Sequence, residues 1–205
     1  METLTVQAYL NETWTDIALI KYPGSEKNDW NITQLDYLTE YAINFLDYDD
    51  FHAVSVNHPV SLFFDDHGQP GWLRFIDDII PAGASRRYWI NALDISELPV
   101  GQQNFLLLKF GTMSPVGNLR IKESVPEWNK FASTKTFTVA DVIDRAADFL
   151  DYAQERGAAA GGATGAGGEA PKLLLRCSET DAIWIDTWQN EPDNRDRYYS
   201  VKYPR

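Results

Sequence analysis

The sequence has little cysteine, few cations and no long apolar run, and each shortage excludes a class of protein. Its 205 residues contain one cysteine, Cys177, so neither an internal disulfide nor a multi-cysteine zinc site can form. The 18 Lys and Arg residues are outnumbered by 30 Asp and Glu, which gives a formal net charge of −12. Such a surface repels phosphate backbones, so we expect no direct binding of nucleic acid.

Signals for membrane insertion and export are missing as well. No apolar stretch approaches the ~20 residues that a membrane helix needs. The N-terminus has no basic segment followed by an apolar one, which a signal peptide requires. We therefore expect a soluble, cytoplasmic protein without membrane contact, and an apolar fraction of 44% is enough to give it a packed core.

The first part of the chain predicts a small β unit with helices. Residues 3–10 and 14–22 are β-rich runs separated by a polar turn, which is a hairpin pattern. Residues 32–46 fit a helical face and strands equally, so this interval stays open. Apolar residues at helical spacing predict a helix over 72–80, and a short helix is predicted over 102–109.

The last part of the chain predicts one long helix and a small sheet. The helix covers 138–156, with Thr138 as its cap and Asp141 as the partner of that cap, and Gly157 follows its end. After a Gly/Ala-rich stretch come three β-like runs separated by polar turns. They predict an antiparallel meander that must pack on another element, at 172–176, 182–188 and 198–203.

These patterns together predict an α+β fold in four parts. A small N-terminal β unit with helices covers 1–125, and a connecting helix region covers 126–156. A Gly/Ala-rich loop then covers 157–171, and the β strands occupy 172–205.

The Gly/Ala-rich stretch, GAAAGGATGAGG at 157–168, has two interpretations. Composition alone favours a flexible linker. The alternative is a phosphate-binding loop, because glycine lets backbone N–H groups surround an anion, although the spacing is not that of a P-loop. A glycine loop followed by strands and a strand lysine, Lys202, is the arrangement of a protein-kinase N-lobe, and this context favours the second interpretation.

The segments GGEAPKLLLR at 167–176 and SVKYP at 200–204 resemble the HipA family of serine/threonine kinases, which are toxins of type II toxin–antitoxin systems. Residues 65–80 and 105–119 look like the N-terminal subdomain of that family, and the opening hairpin fits its small β unit. The resemblance implies that the strands after the glycine loop begin a kinase-like N-lobe. It also implies ATP-dependent phosphorylation of a protein serine or threonine.

The resemblance further implies specific site residues. The nucleotide would be bound by five positions, Gly165, Gly167, Gly168, Lys172 and Lys202. Thr164 lies nearest to the position of an autophosphorylated serine in the family. Glu169 departs from the family pattern by placing a carboxylate where a small residue is usual, and its repulsion of phosphates predicts weak nucleotide binding.

No catalytic residue is predicted within this chain. A glutamate-bearing helix, a catalytic Asp/Asn loop and a metal-binding aspartate would all have to lie beyond Lys202. We therefore expect residues 1–205 alone to be inactive, with the ligands of Mg²⁺ outside them. The implied partners are a protein substrate, in the family an aminoacyl-tRNA synthetase, and a HipB-like DNA-binding antitoxin, and the implied setting is bacterial persistence.

Two other functions stay open. A chain of this length that lacks the catalytic lobe could act as a separate, non-catalytic regulator that restrains a partner kinase, as in split HipA-type systems. It could also be a binding module that carries a Gly/Ala linker.

The three histidines, His52, His58 and His67, lack the spacing of metal ligands, so we expect them to have structural roles. The acidic pairs are expected to cap turns or to lie on solvated faces. These pairs are Asp49–Asp50, Asp65–Asp66 and Asp77–Asp78.

Overall fold

A computed structural model describes most of the chain, and the described residues form two antiparallel sheets with flanking helices. The described ranges are 1–22, 33–62, 71–112, 117–125, 135–160, 172–185 and 195–202. The mixed α+β class that the sequence predicts is confirmed for these residues.

The chain opens with the predicted hairpin. Strand β1 (Glu2–Leu10) pairs antiparallel with β2 (Thr13–Tyr22). The two connecting residues, Asn11 and Glu12, have φ angles of 48° and 63°. A two-residue turn with both φ angles positive has the twist that a hairpin needs, and asparagine enters that conformation more readily than most residues.

Two shorter strands complete a four-stranded sheet. Strand β3 (Gln34–Tyr37) adds to β2, and β4 (Leu119–Ile121) adds to β1, so the spatial order is β3-β2-β1-β4. The ambiguous interval 32–46 contains both kinds of element, because helix α1 (Thr39–Asn44) follows β3 directly.

Helix α2 (Ile76–Ile79) is shorter than the helix predicted over 72–80, so that prediction is wrong in its extent. The cause is a pair of hydrogen bonds to Thr33. The Thr33 amide donates to the carbonyl of Gly71 at 3.0 Å, and its hydroxyl accepts from the amide of Leu73 at 3.1 Å. These bonds tie the segment to another part of the chain, so the helix begins only after them. The predicted apolar face still packs in the first core.

Two helices follow along the chain. The sequence did not predict α3 (Gly83–Ala92). The helix predicted over 102–109 is confirmed as α4 (Val100–Gly111), two residues longer at each end. At Gly111 a Cβ atom would lie 2.6 Å from Cγ of Pro81, so glycine is needed for this close approach.

The first hydrophobic core lies between the four-stranded sheet and helices α1, α2 and α4. Its largest fully buried side chain is Tyr22, whose ring meets Phe105 edge-on with the centroids 5.0 Å apart. Such edge-to-face contacts add to the free energy gained by burying the rings.

The helix predicted over 138–156 is wrong as one continuous element, because the structure divides it. Helix α5 (Val139–Ile143) and helix α6 (Ala147–Ala160) are separated by a turn. Arg145 in that turn has a φ angle of 53°. A left-handed residue cannot continue a right-handed α-helix, so the chain changes direction there.

The predicted cap of this region is confirmed. The Thr138 hydroxyl accepts a hydrogen bond from the amide of Asp141 at 3.2 Å, and the Asp141 carboxylate accepts one from the amide of Thr138 at 2.7 Å.

The predicted helix end before Gly157 is wrong, because α6 runs on to Ala160. The first four residues of the Gly/Ala-rich stretch are therefore helical.

All three predicted C-terminal strands are present, as β5 (Lys172–Cys177), β6 (Ile183–Ile185) and β7 (Arg197–Lys202). The predicted meander is wrong, because the order is β6-β5-β7 with β5 in the middle. Strand β5 carries Leu175 and Cys177, each 1% exposed, and a central position covers both of its edges with neighbours.

The second core joins this sheet to α5 and α6, which confirms that the strands pack on another element. Its buried members are Phe137, Val142, Phe149, Ala153, Leu175, Cys177 and Ile183. Among the helices of the described ranges, none has the length and apolar character to cross a membrane.

Candidate anion site on the second sheet

The two lysines singled out by the sequence are direct neighbours. Lys172 is the first residue of β5 and Lys202 is the last residue of β7, and the antiparallel register pairs them. They are 30 positions apart in the sequence. Directly paired residues have their Cβ atoms about 4.5–5.5 Å apart and lie on the same face of the sheet.

Burial identifies which face this is. Alternate residues of a strand point to opposite faces, and in β5 the odd-numbered Leu175 and Cys177 point into the second core. The even-numbered positions therefore lie on the other face. Lys172 and Lys202 are both even-numbered and paired, so the register assigns both positions to the face opposite Leu175 and Cys177.

An aromatic and charged cluster lies further along the same face. The guanidinium of Arg176 lies over the ring of Trp184, with 5.4 Å between its central carbon and the ring centroid. Its Nε atom also donates to Oδ2 of Asp196 at 2.7 Å. Tyr198, which pairs with Arg176, is half exposed. Arg176 and its aromatic neighbours form a surface that can contact a planar ring.

The electrostatics of the lysine pair favour an anion. Like charges placed directly opposite each other in a sheet are destabilising. An anion between two such charges would replace their repulsion with attractions, which makes this end of the β5–β7 ladder a candidate for phosphate binding.

The opposite face of the sheet carries a separate pocket of about 360 Å³ between α5 and the strands. At its mouth Arg197 donates to Asp181 at 2.8 Å, and Cys177 is buried beside them. The pKa of Arg197 is raised by the charges of Tyr199 and its neighbours and by the hydrogen bond to Asp181. The sequence did not predict this pocket.

Several of the predicted site residues lie outside the described residues. They are the loop glycines and their neighbours, Thr164, Gly165, Gly167, Gly168 and Glu169. Of the predicted nucleotide-binding set, the structure therefore brings together Lys172 and Lys202. Sequence reasoning identified both lysines but not their direct pairing, because the register between β5 and β7 depends on the strand order.

The structure gives contacts for His52 and for two members of the acidic pairs, Asp50 and Asp77. The ring of His52 packs among aromatic side chains, and Asp50 accepts hydrogen bonds from the amide and Nδ1 of His52 at 2.9 and 2.8 Å. Asp77 accepts from the indole of Trp72 at 2.8 Å in the first turn of α2. His67 and the pair Asp65–Asp66 lie outside the described ranges.

Metal ligands are the remaining chemistry that the resemblance implies. Within the described part of the chain, no group of three or more His, Cys, Asp or Glu residues is placed to hold a metal ion.

Comparisons of the chain with protein-family models, with curated proteins and with solved structures found no match.

Proposed function

We propose that this chain is the N-terminal, nucleotide-binding part of a HipA-type serine/threonine protein kinase, and that Lys172 and Lys202 bind the phosphates of ATP. The observation that carries this proposal is the direct pairing of the two lysines across β5 and β7. Cations at directly paired positions repel each other, and a phosphate between them would relieve that repulsion.

The sequence around the pair supports the same ligand. The Gly/Ala-rich stretch ends four residues before Lys172, so its glycines are close in the sequence to one lysine of the pair. Backbone amides without a neighbouring Cβ atom can approach a phosphate closely. A glycine loop above the phosphates and a strand lysine beside them are the two N-lobe components of phosphoryl transfer.

The wider function rests on the resemblance to the HipA family. ATP supplies the phosphoryl group, and this chain's residues bind and orient its phosphates. By the family pattern, the base and the ligands of Mg²⁺ would lie beyond Lys202, and the acceptor is a separate protein. The proposed substrate is an aminoacyl-tRNA synthetase, and the proposed partner is a HipB-like DNA-binding antitoxin.

The experiment is a titration of the chain with ATP, ADP, AMP and adenosine, followed by calorimetry or by intrinsic tryptophan fluorescence. We expect affinity to fall with each phosphate removed, because the site recognises phosphate charge. Lys202→Ala and Lys172→Ala should each raise the Kd for ATP by about tenfold, which equals about 1.4 kcal/mol. Replacement of Gly167 and Gly168 by valine should act in the same direction.

Lys135→Ala is the matched control, because it removes one lysine from the same half of the chain. Lys135 lies 3.4 Å from Asp148 and its side chain is 55% exposed. This variant should bind ATP as the original chain does. Equal ATP affinity in the original chain and in Lys202→Ala would contradict the proposal, and so would adenosine binding as tightly as ATP.

A further inference from the structure

An aromatic and acidic surface lies beside the four-stranded sheet. It is formed by the turn that follows α1 and is called the 45–52 patch here. Its members are Phe45, Asp47, Tyr48, Asp49, Asp50, Phe51 and His52.

The aromatic part of the 45–52 patch is built around His52. The imidazole ring lies 4.4 Å from the ring of Phe45, 5.2 Å from that of Tyr48 and 4.1 Å from that of Phe51, measured between centroids. Tyr48 is nevertheless 47% exposed and Phe51 is 61% exposed. The cluster is therefore packed within itself but presents two large aromatic side chains to solvent.

Exposed apolar side chains are concentrated in this stretch of the chain. Besides Tyr48 and Phe51, four more large apolar residues of the described segment 33–62 are exposed: Ile43, Leu46, Val56 and Leu62. Scattered single exposed apolar residues need no explanation, but a concentration of them in one segment is typical of an interaction site.

The charge of this region has one sign. Between Lys27 and Arg74 the sequence contains eight carboxylates and no Lys or Arg. The charge of these eight groups equals two thirds of the formal net charge of −12. Three of these carboxylates, Asp47, Asp49 and Asp50, are exposed within the 45–52 patch. The exposed aromatic rings are thus surrounded by negative charge along the chain.

Hydrogen bonds fix the backbone of the patch before any partner binds. The Tyr41 hydroxyl donates to the carbonyl of His52 at 2.7 Å, and the Asn118 side chain donates to the carbonyl of Phe51 at 3.3 Å. The amide of Asp47 donates to the carbonyl of Val60 at 2.9 Å. A surface held in one conformation loses less conformational entropy on binding, so it is suited to recognition.

We propose that the 45–52 patch docks a cationic, amphipathic segment of a partner protein. The aspartates pair with Lys or Arg side chains of that segment, and Phe51 and Tyr48 contact its apolar side chains or lie against a guanidinium. Nucleic acids and anionic lipid surfaces have the wrong charge for this patch. The inference does not rest on the proposed nucleotide function, because no residue of the second sheet takes part in it.

The test uses a synthetic 15-residue peptide of leucine and lysine at amphipathic helical spacing, titrated onto the chain by fluorescence anisotropy. A peptide with glutamate in place of every lysine is the ligand control. We expect the lysine peptide to bind, with weaker binding as salt rises, and the glutamate peptide not to bind.

Two variants of the patch remove its charge and its aromatic contact separately. The first is Asp47→Asn with Asp49→Asn, which suits the φ angle of 66° at position 47 because asparagine tolerates that region. The second is Phe51→Ser. Each should raise the Kd of the lysine peptide by about tenfold, the equivalent of about 1.4 kcal/mol.

Each variant has a matched control elsewhere on the surface. Asp94→Asn with Glu97→Gln also removes two carboxylates, and Asp94 also has a positive φ angle, 52°. Val100→Ser removes an apolar side chain that is 64% exposed. Both controls should bind the peptide as the original chain does.

Three results would overturn the proposal: no binding of the lysine peptide, equal loss in the patch variants and their controls, or equal binding of the glutamate peptide. Lys202→Ala should leave peptide binding unchanged. Failure of the patch and failure of the nucleotide site are therefore separate outcomes.

Discussion

Replacing Phe149 by alanine would test whether the second sheet is stabilised separately from the first. Phe149 is fully buried in α6, and its ring meets Phe137 edge-on with the centroids 5.3 Å apart. Truncation of a buried Phe to Ala typically costs about 3–5 kcal/mol. A unit as small as residues 135–202 has a total stability of roughly 3–10 kcal/mol. The change should therefore remove a large part of the stability of this unit.

Hydrogen exchange followed by mass spectrometry measures the loss segment by segment. The amides of β5 and β7 should exchange roughly 150-fold to 4,000-fold faster in Phe149→Ala, as a cost of about 3–5 kcal/mol implies. The amides of β1 and β2 should keep their rates, because those strands belong to the first core. Leu150→Ala is the control, because this neighbouring side chain is 40% exposed. Equal acceleration in β1 and β2 would refute separate stabilisation.

Further predictions concern local packing and capping. Gly111→Ala should lower the urea midpoint, because its Cβ would lie 2.6 Å from Cγ of Pro81, whereas Gly117→Ala meets nothing within 4 Å and should not. Thr138→Ala should cost roughly 0.5–2 kcal/mol by the same measurement, because it removes the cap of α5. Hydrogen bonds from the amide and hydroxyl of Thr138 lower the pKa of Asp141 below its ordinary 3.8. The carboxylate therefore stabilises the fold above pH 3.8 and loses this effect as the pH falls through the lowered pKa. Below that pH, Asp141→Asn and the original chain should be equally stable.

Local sequence signals were sufficient for the elements whose structure is decided locally. The opening hairpin, α4 and the Thr138–Asp141 capping box depend on residues close together in the chain, and the structure has all three. The same holds for the three C-terminal strands, whose apolar runs are bounded by polar turns.

Contacts between distant residues decided the rest. The helix over 72–80 is shortened by Thr33, which lies about forty positions earlier. The helix over 138–156 is divided at Arg145, where the apolar spacing continues although the backbone turns. The order β6-β5-β7 cannot be read from three similar short runs, and the pairing of Lys172 with Lys202 depends on that order.

The most direct measurement of the central claim is affinity labelling of the intact chain with an acyl-phosphate derivative of ATP. This reagent transfers its acyl group to lysine amines that lie beside the bound phosphates, and mass spectrometry then identifies the modified residues. We predict that Lys172 and Lys202 are labelled preferentially and that excess ATP protects both. Labelling that is spread equally over Lys21, Lys109, Lys122 and Lys135, without protection by ATP, would contradict a phosphate site at the β5–β7 ladder.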